Sequence, residues 1–142
     1  MGPRINVLKR EPFQFTARAE WQDGKLQTDV AFDVPGGKRL VIENISATLE
    51  TQIGQEITST QVKTVVNNVV AWHSVFIPKT ATFENKFNVY SGGQRVRIYA
   101  DPETTVNVLV SRNNSQCAFP CGTTLVFISG YLLPVESPSL AP

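Results

Sequence analysis

Pro12 to Trp21 reads "PFQFTARAEW" and alternates without a break. Phe13, Phe15, Ala17, Ala19 and Trp21 fall on one side; Gln14, Thr16, Arg18 and Glu20 fall on the other. A period of two is that of a β-strand with one face buried, because successive side chains of a strand point to opposite faces. A helix would need its apolar residues three and four apart. This stretch therefore sets the register in which the rest of the chain is read.

Working outward, Asp23-Gly24 marks a turn, and "TDVAFDV" places Val30, Phe32 and Val34 on one face. Pro35 to Lys38, "PGGK", turns the chain again. "RLVIENISATLETQI" (Arg39 to Ile53) alternates through Leu40 and Ile42, slips, and resumes at Ile45, Ala47, Leu49, Thr51 and Ile53. A bulge near Asn44 explains the slip. Residues 57–66 and 69–77 read as two strands around a tight turn at Asn67-Asn68. Residues 82–90 read as another, with Phe83, Phe87 and Val89 together, followed by a turn at "SGGQ" (Ser91 to Gln94). "RVRIYA" turns Val96, Ile98 and Ala100 inward, "DPET" (Asp101 to Thr104) is a turn, "TVNVLVSR" carries Val106, Val108 and Val110, and "TTLVFISGYLL" closes the series. No stretch shows a capped helical stripe. The spacing predicts an all-β fold of eight or nine strands, an antiparallel β-sandwich of jelly-roll type. Residues 1–11 read as an extended arm, 12–133 as the sandwich and 134–142 as a proline-rich tail.

The chain has 142 residues, of which 18% are charged, with a formal net charge of +1. A basic stripe of the kind that holds nucleic acid is missing, so no nucleic-acid partner is expected. A charge-poor, near-neutral surface favours self-association, and a homo-oligomer is expected. No apolar run reaches the length of a membrane span, and the first residues hold no apolar signal-peptide core. The chain then reads either as cytosolic or as a mature form whose leader is absent, and the cysteines must arbitrate.

The two cysteines lie in "CAFPC", Cys117 to Cys121. Zinc takes four ligands, and only His73 adds to the cysteine inventory. A redox pair needs Cys-x-x-Cys at a helix N-terminus, whereas three residues intervene here, in an all-β context. The remaining readings are two free thiols or a disulfide that staples the loop between the last two strands. We adopt the disulfide, which requires an oxidising compartment, hence an extracellular or periplasmic location. It would also hold Phe119 and Pro120 at a stiff exposed tip, a contact point for a partner.

The sequence offers little catalytic inventory. His73 in "AWHSVF" has Ser74 as its neighbour, but adjacent strand residues face opposite ways, and no Gly-x-Ser-x-Gly is present. One histidine is too few for a cupin metal site. Asp101 and Glu103 could reach a calcium ion, but the turn they belong to accounts for both. No cofactor and no enzymatic activity are expected; a sugar hydrolase using paired carboxylates is the enzyme class left open. Trp21, Trp72, Tyr90, Tyr99 and Tyr131 are candidates for a sugar-stacking platform, with Tyr99 foremost because it lies opposite the inward Ile98 and Ala100. Arg95, Arg97 and Tyr99 share one face and form, with Phe119, the candidate ligand-binding set. Asn44-Ile45-Ser46 and Asn113-Asn114-Ser115 match the glycosylation sequon, relevant in a eukaryotic host.

"VLKREPFQFTA", "FDVPGGKRLVIENISA", "RVRIYADPETTVNVLVSR" and "ISGYLL" together resemble a loosely defined group of bacterial exported proteins. These share a "VPxGKRLVIExxSA" and an "RxYADPxT" segment and carry a leader ahead of the matched part. The resemblance implies a secreted β-sandwich and transfers no catalytic residues. The expected function is a non-catalytic structural or binding module, self-assembling or facing a cell-surface or glycan partner. The alternatives are a carbohydrate-binding module, a virion or assembly subunit, and, by fold analogy alone, a trimeric jelly roll of the tumour-necrosis-factor or complement type.

Overall fold

The computed structural model describes residues 9–135. They form nine strands: β1 (Glu11–Glu20), β2 (Gln27–Asp33), β3 (Lys38–Gln52), β4 (Ile57–Val66), β5 (Val69–Ser74), β6 (Lys79–Phe83), β7 (Phe87–Ala100), β8 (Thr105–Arg112) and β9 (Thr123–Pro134). The sandwich thus runs one residue further at each end than 12–133, and most of the expected arm and tail lies outside the described residues.

The strands build a five-stranded sheet, β1-β9-β3-β7-β6, and a four-stranded sheet, β2-β8-β4-β5. Their antiparallel pairings nest: β1 with β9, β2 with β8, β3 with β7 and β4 with β5. The chain is in effect one long hairpin, bent at Asn67-Asn68 and rolled so that β3 also pairs β9 and β4 also pairs β8. This is the jelly-roll arrangement, with β6 as an extra strand on the edge beside β7.

The core follows from the alternation. Leu40, Ile42, Ile45, Ala47 and Leu49 of β3, Val106, Val108 and Val110 of β8, Val126 and Ile128 of β9 and Val62 of β4 meet between the sheets. Phe13 and Phe15 of β1 close one side against Phe32 of β2, with ring centroids 5.3 and 4.4 Å apart. The expected slip is present: both ladders of β3 shift register between Ile42 and Asn44. Asn67 and Asn68 both take positive φ (52° and 63°), the geometry of a two-residue hairpin turn.

Four expectations fail. "SGGQ" is no turn: it lies in the middle of β7, a continuous strand. The hairpin is made earlier, at Glu84-Asn85, both with positive φ. The glycines answer instead to crowding, since a Cβ at Gly93 would lie 2.7 Å from the Cβ of Ser46, and one at Gly92 would lie 2.9 Å from Pro78 Cδ. Moving the turn also reverses the phase of this half-strand. Asn88 and Tyr90 point inward, not Phe87 and Val89. Ile53, expected to continue the inward row of β3, sits in the β3–β4 turn and is 49% exposed. The strand read as 69–77 ends at Ser74.

Candidate functional site

Three regions hold side chains available for contact or organised beyond what the core needs. The first is the "CAFPC" loop. Cys117 and Cys121 are disulfide-bonded, with Cα atoms 5.4 Å apart. The bridge closes the outer part of the β8–β9 connection rather than its neck. Gln52 Nε2 donates to the carbonyls of Ala118 and Pro120, holding the tip down, and Phe119 at its apex is 89% exposed. Replacing both cysteines by serine is expected to cost about 2 kcal/mol, the loop-entropy value for so short a ring. The fold should survive, and urea unfolding at equilibrium reads the difference.

Beneath this loop lies Arg112, which sequence reasoning passed over. It is 3% exposed. Its Nε donates to Lys25 O (3.0 Å), Nη1 to Gln55 Oε1 (3.2 Å), and Nη2 to Gln22 O (2.9 Å) and Ser115 O (3.2 Å). The guanidinium carbon lies 4.4 Å from the Trp21 ring centroid. Burial lowers its pKa below the ordinary arginine value, and the charge of Asp23 acts against that shift. The signal was present: Val106, Val108 and Val110 face inward, and Arg112 is next in that phase. The Arg112 contacts join the β1–β2 and β8–β9 loops, aided by Cys117 N–H donating to Asp23 Oδ1 (3.0 Å).

The second region is the outer face of the five-stranded sheet. Arg95, Arg97 and Tyr99 are exposed on alternate positions of β7, on one face as expected. Tyr99 faces Val41, which faces Tyr131, which faces Pro12, a row across four strands. Val41 is only 1% exposed although its neighbours Leu40 and Ile42 take the inward positions, because the two tyrosines flank it. Arg10 stacks on Tyr131 at 4.3 Å, leaving Tyr99, 43% exposed, as the freer ring. The other aromatic candidates do not join them. Trp21 and Tyr90 are buried, Trp21 donating to Glu50 O (2.9 Å) and the Tyr90 hydroxyl accepting from Ile57 N–H (3.2 Å). Phe119 belongs to the loop and not to this face.

The third region is β5, an edge of the four-stranded sheet. Val69, Val70 and Trp72 on it, and Phe76 just beyond, are 64%, 48%, 50% and 77% exposed. His73 points the opposite way from Trp72 and lies 3.3 Å from Thr64 Oγ1. Ser74 is on the other face of the strand from His73, so the two do not form a nucleophile–base pair. Asp101 pairs with Arg39 (3.0 Å) and accepts from Asn67 N–H (2.7 Å), which ties it into the turns. Among the described residues no group of three or more His, Cys, Asp or Glu side chains comes together to hold a metal ion. No helix among them is long and apolar enough to cross a membrane. No protein-family model and no curated protein sequence matches the chain.

Proposed function

We propose that this chain is a non-catalytic, exported β-sandwich module that acts by contact and assembles with copies of itself through β5. The carrying observation is a difference between edges. A sheet edge offers unpaired backbone groups, and proteins that stay apart guard such edges with charge or proline. β1 carries Glu11, Pro12, Arg18 and Glu20, β2 carries Asp29 and Asp33, and β6 begins at Lys79. β5, "VVAWHS", carries no lysine, arginine, acid or proline and exposes Val69, Val70 and Trp72. Phe76 just beyond the strand is exposed as well, so apolar side chains line this edge, with Lys63 of β4 lying over the Trp72 ring at 5.7 Å. The low charge fraction works in the same direction. Export is supported by the disulfide, which needs an oxidising compartment, and by the resemblance to exported bacterial sandwich proteins.

Sedimentation velocity of the wild-type protein at tens of micromolar is expected to give a dimer or larger species. Val70→Lys with Trp72→Lys should give a monomer with an unchanged circular dichroism spectrum. A wild-type protein that stays monomeric at high concentration removes the assembly reading, including its virion-subunit form. The alternative, a carbohydrate-binding module, draws on the outer face of the five-stranded sheet.

A further inference from the structure

The bulge-shifted registers bring four polar side chains into one row across the outer face of the five-stranded sheet. Gln14 of β1 faces Ser129 of β9, Ser129 faces Asn44 of β3, and Asn44 faces Arg95 of β7. The row is a depression because its neighbours are small: Ser46 and Gly93 lie beside it. Two shallow clefts, of about 250 and 340 Å³, meet at Asn44 and Ser46 and make it continuous. Aromatic groups flank it, Tyr131 and Tyr99 on one side and Phe127 on the other.

The side chains of this row have unused hydrogen-bonding capacity. Gln14, Ser129, Asn44 and Arg95 make no side-chain hydrogen bond or ion pair among the described residues, and neither does Arg97. The opposite outer face behaves differently: there Gln27 donates to Ser111 (3.3 Å), Asn107 to Asp29 (3.5 Å) and Thr105 to Asp33 (2.7 Å) across the strands. Cross-strand polar pairs of this kind are absent, among the described residues, from the row between Gln14 and Arg95.

We propose that this row is the binding track of an acidic oligosaccharide that lies across the strands, with a sugar carboxylate on Arg95 and Arg97. Sugar hydroxyls donate and accept, as do the amides of Gln14 and Asn44 and the hydroxyl of Ser129. The flanking rings offer faces to the C–H sides of sugar rings, and a guanidinium fork matches a carboxylate. Three strand spacings make the track about 14 Å long, which calls for an oligomer and not a single sugar. Two cations at one end suit scattered carboxylates better than a phosphate on every unit, which would ask for many more. The proposal rests on the carbohydrate-binding alternative and is independent of assembly through β5.

Isothermal titration of the full chain with oligogalacturonate tests it. Saturable binding is expected, with galacturonate monomer at least tenfold weaker. Arg95→Ala and Asn44→Ala should each weaken the oligomer at least tenfold, with unchanged melting curves, while Arg18→Ala and the β5 variant bind as wild type. If a neutral cello-oligosaccharide binds equally well through Asn44 and without Arg95, the acidic class is overturned and the carbohydrate alternative survives. If polyglutamate binds as tightly as oligogalacturonate and Asn44→Ala has no effect, the row is only a charged patch and the proposal fails. If no saccharide binds, the inference and the carbohydrate alternative fall together.

Discussion

Arg112→Met is expected to lower the free energy of unfolding by about 2–5 kcal/mol, because several buried acceptors lose hydrogen bonds from a charged donor at once. Methionine fills much of the same volume but donates nothing. The carbonyls of Gln22, Lys25 and Ser115 would lose the guanidinium that now satisfies them, and a buried acceptor left alone costs about 1–3 kcal/mol. The stacked contact with Trp21 would change as well. Arg112→Lys is expected to recover only a fraction, because a lysine ammonium is a point charge without the planar fork that reaches Nε, Nη1 and Nη2 partners at once. Urea unfolding of the three proteins gives the comparison. If Arg112→Met costs less than about 1 kcal/mol, the loops at this end are held by something other than the arginine. The disulfide variant, expected to lose less than Arg112→Met, shows which of the two organises the "CAFPC" loop.

Gly130→Ala should be of comparable severity, at about 3 kcal/mol or more, beyond the usual range for overpacking because the obstacle is backbone. Gly130 faces Ile42 of β3 where the ladder slips. A Cβ there would overlap the carbonyl oxygen of Val41, and its next neighbour would be Ile42 Cα at 3.0 Å. Neither atom can rotate away as a side chain could, so the β3–β9 ladder must part at its bulge. Gly93→Ala meets Ser46 Cβ at 2.7 Å, with the Ile45 carbonyl at 3.0 Å, and is expected to cost less. Soluble yield and thermal melting check the order. A Gly130→Ala protein as stable as wild type would mean that the bulge is free to move.

These two residues also mark how far the sequence could be read. Alternation in "PFQFTARAEW", in "RLVIENISATLE" and in "TVNVLVSR" carried the strands and most of the core, because a sheet buried on one face leaves a period of two in the chain. The bulge near Asn44 was legible for the same reason: a phase slip is visible wherever the apolar residues are dense. "SGGQ" was not, because glycine serves both tight turns and close strand approach, and only the neighbouring strand tells which. Glu84-Asn85 lacks the glycine that signals most hairpins, although Asn tolerates positive φ. The placement of Arg95, Arg97 and Tyr99 on one outer face followed from spacing within one strand. The row from Gln14 to Arg95 did not, because it is assembled from four strands whose registers no local pattern specifies. Arg112 lies on the same inward phase as Val106, Val108 and Val110, but a charged side chain at the end of a strand is ordinarily solvated, so alternation alone does not mark it as buried.

The nested pairing has a consequence for how the molecule is made. Among the described residues β9 supplies the only strand partner of β1 and one of the two partners of β3, yet it is the last of the nine strands in chain order. Until it is made the five-stranded sheet lacks the strand that joins β1 to β3, and the inward side of "PFQFTARAEW" has no finished core to enter. Pairing the two ends of the chain is slow, since the largest loop must close before the contact repays it. The rolled hairpin thus cannot complete its larger sheet until β9 has been made.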